Sequence, residues 1–189
     1  MKKIFTLLTM LVCLVAATTA FAAKGTPAEQ RKQIDALSIK ALTQLYEKYP
    51  HAKRIIENET YAWATLSNTS TKFGIFGSSH GRGVAVNNQT GERVYLHMEE
   101  LSAGLGIGAK EYNLIFLINT RDAWENFIIG KTRFAASAEA SADDGVNGGT
   151  VEGAEYAAPG VWVYQMTTKG LALEAMLKGM KIYKDKKLN

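Results

Sequence analysis

The stretch SAGLGIGAKEYNLIFLINTRDAWENF, residues 102–127, decides the fold class. Its middle part, Tyr112 to Asn119, is apolar on both faces, which is typical of a central strand. Thr120 can then cap a short helix from Arg121 to Ile128. The stretch therefore predicts a short helix that directly follows a buried strand.

Alternate glycines open the stretch, at Gly104, Gly106 and Gly108. Within a strand they leave bare backbone along one face, where a neighbouring element can approach closely or a barrel wall can bend. A phosphate-binding loop would need a helix directly after the glycines and a G-K-[ST] sequence, and neither is present. We therefore interpret these glycines as structural.

Upstream of this stretch, the pattern changes from helical to strand-like after Glu59. An apolar stripe predicts a first helix that packs on a core, and Pro50 suits the first turn of a second helix, His51 to about Asn58. The stripe residues are Ile34, Leu37, Ala41, Leu45 and Tyr49. Short strands are then predicted at residues 61–67, 73–76 and 84–86, with a turn at 87–91 and a return strand at 94–98.

Downstream, further strands are predicted at residues 133–142, 161–166 and 171–177, with a last strand ending at Tyr183. Residues 143–153 are expected to form a flexible loop, and the tail KDKKLN, residues 184–189, to be solvated. The sum is an α+β domain. Its N-terminal helices pack on a strongly curved, largely antiparallel β-sheet or partial barrel, with one short helix inserted between strands.

The beginning of the chain predicts an export signal. Lys2 and Lys3 precede an apolar run, Ile4 to Val15, and Ala20-Phe21-Ala22 is typical of a signal-peptidase site. We expect cleavage near Ala22-Ala23 and a periplasmic or secreted protein; the alternative is an uncleaved anchor helix. Residues 23–33 are then expected to be a flexible lead-in and residues 34–189 a single domain.

Charge and composition favour neither nucleic acid nor a cofactor as a partner. Removing residues 1–22 takes away two lysines and no acid, so 22 basic residues become 20 against 18 acidic ones, and the formal charge falls from +4 to +2. Cys13, the single cysteine, lies in the same segment. His51, His80 and His97 are not spaced as metal ligands. We expect no metal site and no cofactor.

The motif GSSHG, residues 77–81, fits the G-x-S-x-G pattern of serine hydrolases, with Ser79 as the nucleophile. That pattern requires a strand, a sharp turn and then a helix, whereas here a strand follows. A histidine should also follow the acid, yet the last one, His97, precedes candidates such as Asp122. We interpret the motif as a chance match, so a small serine hydrolase is the third-ranked function.

Four segments in register resemble the SYLF family of lipid-binding domains, which also occurs in eukaryotic SH3-containing proteins as an actin-binding domain. FGIFGSSHGRGVAV resembles the family's glycine-rich strand entry, with Gly77, Gly81 and Gly83 in place. The chain departs from the family where residues 64–68 replace an apolar strand ending in Phe-Pro. The other three segments are ALTQLYEKYPHAKRIIENE (the opening helices), residues 102–127 and the closing hairpin VWVYQMTTKGLALEAMLKG, whose turn contains Gly170.

The resemblance implies binding of phospholipid, often anionic, rather than catalysis. On that basis we expect an exported, non-catalytic lipid-binding domain at a bacterial membrane surface. The alternative is a structural or protein-interaction domain of the envelope that binds no lipid. Basic side chains are the candidates for phosphate contacts: Arg31, Lys32, Lys40, Lys53, Arg54, Arg82 and Lys110.

Overall fold

The computed structural model describes residues 25–134, 151–167, 177 and 179–189, and for residues 72–76 and 102–110 the backbone alone. The helices are α1 (Pro27–Lys48), α2 (His51–Asn58) and α3 (Arg121–Ile128). The strands are β1 (Ala62–Asn87), β2 (Arg93–Ile118), β3 (Glu155–Ala158), β4 (Val161–Thr167) and β5 (Met180–Lys184).

The sheet is built around β2, and every pairing in it is antiparallel. One edge of β2 pairs with β1 from Arg93 to Ile118, around the turn at residues 88–92. Its other edge pairs with β5 over residues 96–100 and with β4 over residues 112–118, and β3 adds to the far side of β4. The expected antiparallel sheet is therefore confirmed.

The β1–β2 ribbon is folded over on itself, which confirms the strong curvature. Gly83 and Thr65 belong to the same strand and would be about 60 Å apart if it were straight. Instead, a Cβ atom placed on Gly83 would lie 1.8 Å from the carbonyl oxygen of Thr65. A Cβ atom on Gly81 would lie 1.6 Å from Oδ1 of Asn68. Two glycines thus allow the two halves of β1 to cross in backbone contact.

The prediction of three short strands between residues 61 and 86 was wrong, because β1 is continuous. Its register with β2 is interrupted only by an irregularity between Gly74 and Phe76. The alternate glycines Gly104, Gly106 and Gly108 also lie within a strand, β2, and Gly106 is opposite Gly74. The glycine-rich segments therefore lie where the ribbon bends, and the strands continue through them.

The inner face of the folded ribbon encloses the main core. Phe116 of β2 packs against Phe127 of α3, with ring centroids 5.2 Å apart, and both contact Phe134. Trp124 lies in the same cluster, so α3 closes one side of the interior. Other buried members include Leu66, Leu96, Met98, Leu114, Val163 and Ile182.

The outer face of the sheet is covered by α1 and α2, which confirms helices packed on a curved sheet. Ala41 and Leu45 of α1 pack with Ile115 and Tyr164 of the sheet. The predicted apolar stripe was wrong at Leu37, which is 36% exposed. Ser38 is buried in its place, because the Thr65 hydroxyl donates a 2.7 Å hydrogen bond to it.

The expected flexible lead-in, residues 23–33, was wrong from Pro27 onward, where α1 begins. Thr26 caps the helix: its hydroxyl accepts from the Glu29 amide, and the Glu29 carboxylate accepts from the Thr26 amide. This capping box, followed by proline in the first turn, is a strong local helix start. The hydrogen bonds from Thr26 lower the pKa of Glu29.

The end of the C-terminal tail is docked, so the expectation of a solvated tail was wrong at Leu188, whereas Lys184, Lys186 and Lys187 are exposed as expected. The Leu188 side chain is buried with Ile34, Val84 and Tyr95. The Asn189 side chain accepts from the Tyr95 amide at 3.0 Å and donates to the Tyr95 carbonyl at 2.9 Å. The side-chain amide of Asn189 therefore makes the two hydrogen bonds to Tyr95 of β2 that the backbone of a neighbouring strand would otherwise make.

The other local expectations divide between confirmed elements and residues that are not described. Both short helices, the turn at 87–91, the strand at 161–166 and the last strand are confirmed, whereas β3 was missed. Arg133 and Phe134 are not in a strand. Outside the described residues lie the export signal, the rest of the predicted strand 133–142, residues 143–150 of the loop, most of strand 171–177, and Gly170.

Buried tyrosines predict a loss of stability at high pH. Burial raises the pKa of Tyr46 to about 12, with a contribution from Glu57, and burial also raises the pKa of Tyr164 to about 12. The folded protein holds these protons more tightly than the unfolded chain, whose tyrosines titrate near pH 10. The stabilisation that these two tyrosines contribute is therefore fully present below pH 10 and is lost as the pH rises towards 12.

Absorbance at 295 nm and far-ultraviolet circular dichroism, recorded together from pH 8 to 13, test this. We expect a late group of tyrosines to ionise as the helical signal is lost. The same chain in concentrated urea, titrating as one population near pH 10, is the control. Complete tyrosine ionisation by pH 10.5 with unchanged circular dichroism would contradict the prediction.

Candidate functional site

Two of the arginines that were predicted to contact phosphate instead bind other residues of the protein. The Arg31 guanidinium donates to the Leu188 carbonyl at 3.1 Å. The Arg82 guanidinium donates to Oε1 of Gln30 at 2.7 Å and lies 3.9 Å from the Asp185 carboxylate. These contacts attach α1 and the tail to the sheet, so both arginines have structural partners.

The remaining predicted cations are found on both helices and in β2. Arg54 is exposed and forms an ion pair with Glu59. Lys32, Lys40 and Lys53 are exposed. Lys110 lies in β2 opposite Ser70, but its side chain is outside the described part of the structure. The structure therefore divides the predicted set, and leaves Lys32, Lys40 and Lys53 as its exposed members that form no ion pair with a described residue.

Two of these lysines flank an exposed apolar residue on α1. Ile39 is 67% exposed, next to Lys40 and two helical turns from Lys32. We call Ile39, Lys32 and Lys40 the outer face of α1. A helix that presents isoleucine and lysine together to solvent has both chemistries needed to bind an anionic interface.

The carboxylate of Asp35, about one helical turn along α1 from both Lys32 and Ile39, has partners on the sheet. Asp35 accepts a 2.6 Å hydrogen bond from Arg93 and a 3.1 Å hydrogen bond from the Tyr95 hydroxyl. Burial lowers the pKa of Arg93, but the hydrogen bonds and charge interactions with Asp35 and Tyr95 together outweigh it, and the net shift is upward. Asp35 is thus bound to the sheet, while Glu29 and Glu47 lie near the two ends of α1.

Sequence reasoning missed Ile39. It lies off the stripe formed by Ile34, Ala41 and Leu45, so a helical projection places it on the solvent side. A large apolar residue on the polar side of a helix is the signal that could have identified it. Leu37 was instead assigned to the core.

The GSSHG motif is not a nucleophile elbow, because Ser79 lies inside β1 and is 1% exposed. It faces Glu100 across the β1–β2 ladder, and the Tyr112 hydroxyl donates to Oε2 of Glu100 at 2.8 Å. Oγ of Ser79 lies beside that hydroxyl without a hydrogen bond of good geometry. Burial raises the pKa of Tyr112, Ser79 lowers it, and Glu100 raises it further.

The described residues contain no group of three or more histidine, cysteine, aspartate and glutamate side chains placed to hold a metal ion. No helix among them has the length and apolar character needed to cross a bilayer.

Comparisons with known proteins match this chain to a sequence family and to a curated relative. Residues 99–189 match the sequence family Ysc84, described as "Las17-binding protein actin regulator". The chain is 32% identical over 167 residues to "Beta cell expansion factor A" of Aeromonas veronii, an alignment that covers 86% of this chain and 60% of that protein. This chain therefore spans less than two thirds of its relative. The resemblance to the SYLF family seen in the sequence is therefore confirmed.

Proposed function

We propose that this protein is an exported, non-catalytic lipid-binding domain that attaches to a bacterial membrane surface through anionic phospholipid head groups. The observation that carries the proposal is the outer face of α1, where Ile39 is exposed between Lys32 and Lys40. The resemblance to the SYLF family adds to it, since that resemblance implies phospholipid as the ligand.

The magnitudes favour weak, reversible attachment. Full burial of an isoleucine contributes about 1.5–3 kcal/mol, and each lysine near an anionic surface about 1 kcal/mol. Ile39, Lys32 and Lys40 together therefore supply about 4 kcal/mol. Lys53 on α2 adds a further exposed cation.

The second candidate is an envelope protein-interaction domain that uses the same face. Its support is also Ile39, since an exposed isoleucine suits a protein partner as well as a bilayer. The family description names actin regulation. Export, proposed from residues 1–22, would place this chain away from actin, and for that reason we favour lipid.

Liposome sedimentation separates the two candidates. The chain from Ala23 onward, first shown to unfold cooperatively, is mixed with phosphatidylglycerol-containing or purely phosphatidylcholine vesicles at low and high salt. We expect sedimentation with the anionic vesicles at low salt and release at high salt. No sedimentation with either vesicle would remove the lipid function and favour the protein-interaction alternative.

Charge reversal of the outer face tests the site itself. The double variant Lys32→Glu/Lys40→Glu loses two attractions of about 1 kcal/mol each, so its affinity for anionic vesicles should fall about 30-fold or more. Lys181→Glu/Lys184→Glu, which makes the same charge change on β5, should bind much more tightly than the first variant. Equal losses in the two variants would show that net charge, and not this face, determines binding.

A further inference from the structure

A pocket of about 380 Å³ lies between α3 and the turn that joins β3 to β4. Its lining includes Thr120, Asp122, Asn126, Lys131 and Arg133. This volume is at the lower end of the range for small-molecule sites, roughly 300–1,000 Å³, so it can hold a small organic group. The pocket is separate from the outer face of α1. Helix α1 covers the outer face of the sheet, whereas α3 packs on its inner face.

The end of α3 explains how two cations come to line this pocket. Gly130 has a left-handed backbone (φ 75°), and its amide donates to the Phe127 carbonyl at 3.3 Å. The Lys131 amide then donates to the Asn126 carbonyl at 2.9 Å. These two bonds form a Schellman motif, which reverses the chain at the helix end. Lys131 and Arg133 consequently run back beside α3.

The opposite wall of the pocket is also fixed by a backbone hydrogen bond and by close packing. Gly160 also has a left-handed backbone (φ 69°), and its carbonyl accepts from the Asn119 amide at 2.9 Å. A Cβ atom on Gly160 would lie 3.1 Å from Oγ1 of Thr120, the residue that caps α3. The turn between β3 and β4 is therefore packed directly against the start of the helix.

Arg133 differs from the other arginines of the chain. The other five each donate to an acceptor or pair with a carboxylate, whereas Arg133 and its neighbour Lys131 have no such contact with any described residue. Between them, Oγ1 of Thr132 is buried and has no hydrogen-bond partner in the described part of the chain. The five partnered arginines are Arg31, Arg54, Arg82, Arg93 and Arg121.

The charges that line the pocket indicate the chemistry of its ligand. Lys131 and Arg133 contribute two positive charges and Asp122 one negative charge, which leaves a net charge of +1 at the pocket. A phosphodiester carries one negative charge, and the planar guanidinium can donate two parallel hydrogen bonds to it. Asp122 and the hydroxyl of Thr120 can accept from an ammonium or hydroxyl group attached to the same ligand.

We propose that this pocket binds a small phosphodiester that carries an ammonium or hydroxyl group, with Arg133 and Lys131 at the phosphate and Asp122 at the other end. Such a group occurs both as the head group of a phospholipid and as a free glycerophosphodiester. The chemistry is the same in both cases, and the source is distinguished experimentally.

Glycerophosphoethanolamine, a soluble molecule of this class, is the probe. Titration into the isotope-labelled protein should shift amide resonances at Asn126, Lys131 and Gly160. Arg133→Gln should weaken binding about tenfold or more, because the charge-assisted contact is lost. Arg121→Gln is the matched control, since this arginine is exposed and pairs with Glu125 outside the pocket. It should bind as the parent does.

The proposal is overturned if the parent shows no shifts in the pocket at high millimolar probe, or if Arg133→Gln binds with unchanged affinity while folding normally. Vesicles of phosphatidylethanolamine in phosphatidylcholine identify the source. Competition with the probe indicates a lipid head group, and no competition indicates a free phosphodiester. The variant Lys32→Glu/Lys40→Glu should retain probe binding, so a failure of the membrane proposal remains distinguishable from a failure of this one.

Discussion

Replacing Gly83 by alanine should abolish folding or cost at least about 4 kcal/mol of stability, the range reached only by severe core defects. The added Cβ atom would lie 1.8 Å from the Thr65 carbonyl oxygen. That oxygen cannot move away cheaply, because it belongs to a strand paired with Ile115 and its residue is hydrogen-bonded to Ser38 of α1. Relief of the clash would require the two halves of β1 to separate.

Urea denaturation followed by circular dichroism measures this effect. Gly91→Asn is the matched control, because Gly91 has no atom within 4 Å of the added Cβ position and asparagine tolerates its left-handed backbone (φ 73°). We expect that control to lose less than about 1 kcal/mol. If Gly83→Ala unfolds at the same urea concentration as the parent, β1 does not cross itself in backbone contact.

The second large effect is expected from Tyr112→Phe. Glu100 is only 3% exposed, and the Tyr112 hydroxyl is the hydrogen-bond donor to its carboxylate. The two residues lie twelve positions apart in β2, so their contact joins the two sides of the ribbon's fold. Removing the hydroxyl leaves a buried carboxyl group without that donor, which should cost about 1–3 kcal/mol.

A double-mutant cycle isolates this hydrogen bond from changes in packing. The phenylalanine ring retains most of the buried apolar surface of Tyr112, so the single variant should lose little else. Combining Tyr112→Phe with Glu100→Leu removes both polar partners and should recover part of the lost stability. Strictly additive losses in the cycle would show that the two side chains do not interact.

Local signals in the sequence were sufficient for the short helices. Thr120 and Pro50 stand at the starts of α3 and α2, and the expected bounds of both helices were correct. The start of α1 carried an equally local signal, the Thr26–Glu29 capping box, but its polar composition was interpreted as a flexible segment. The prediction was wrong because the polar composition of this segment was given more weight than its capping box.

Contacts between distant parts of the chain could not be predicted in this way. The sequence suggested a close approach at Gly104, Gly106 and Gly108, but the close approach that the structure shows is at Gly83, and nothing local identifies Thr65 as the residue that meets it. The tail is a second example. Leu188 is one apolar residue among lysines, and its burial depends on Ile34 and Tyr95, which lie far away in sequence.

The candidate site shows the same division. Residue type alone suggested seven basic contacts, yet type does not reveal which cations have internal partners. Arg82 binds Gln30 and Asp185, at sequence separations that no local pattern encodes. Lys32 and Lys40 stay accessible because their helix turns them away from the sheet.

The docked tail also bears on the order of events during biosynthesis. Leu188 and Asn189 complete a cluster that begins with Ile34, so this part of the domain cannot assemble until residue 189 has left the ribosome. The β1–β2 ribbon can form earlier, since its turn brings adjacent segments together. Until the tail docks, the N-terminal half of α1 lacks part of the surface against which it packs. Docking of the tail onto the cluster of Ile34, Val84 and Tyr95 is therefore expected to be a late step in the folding of the described part of the chain.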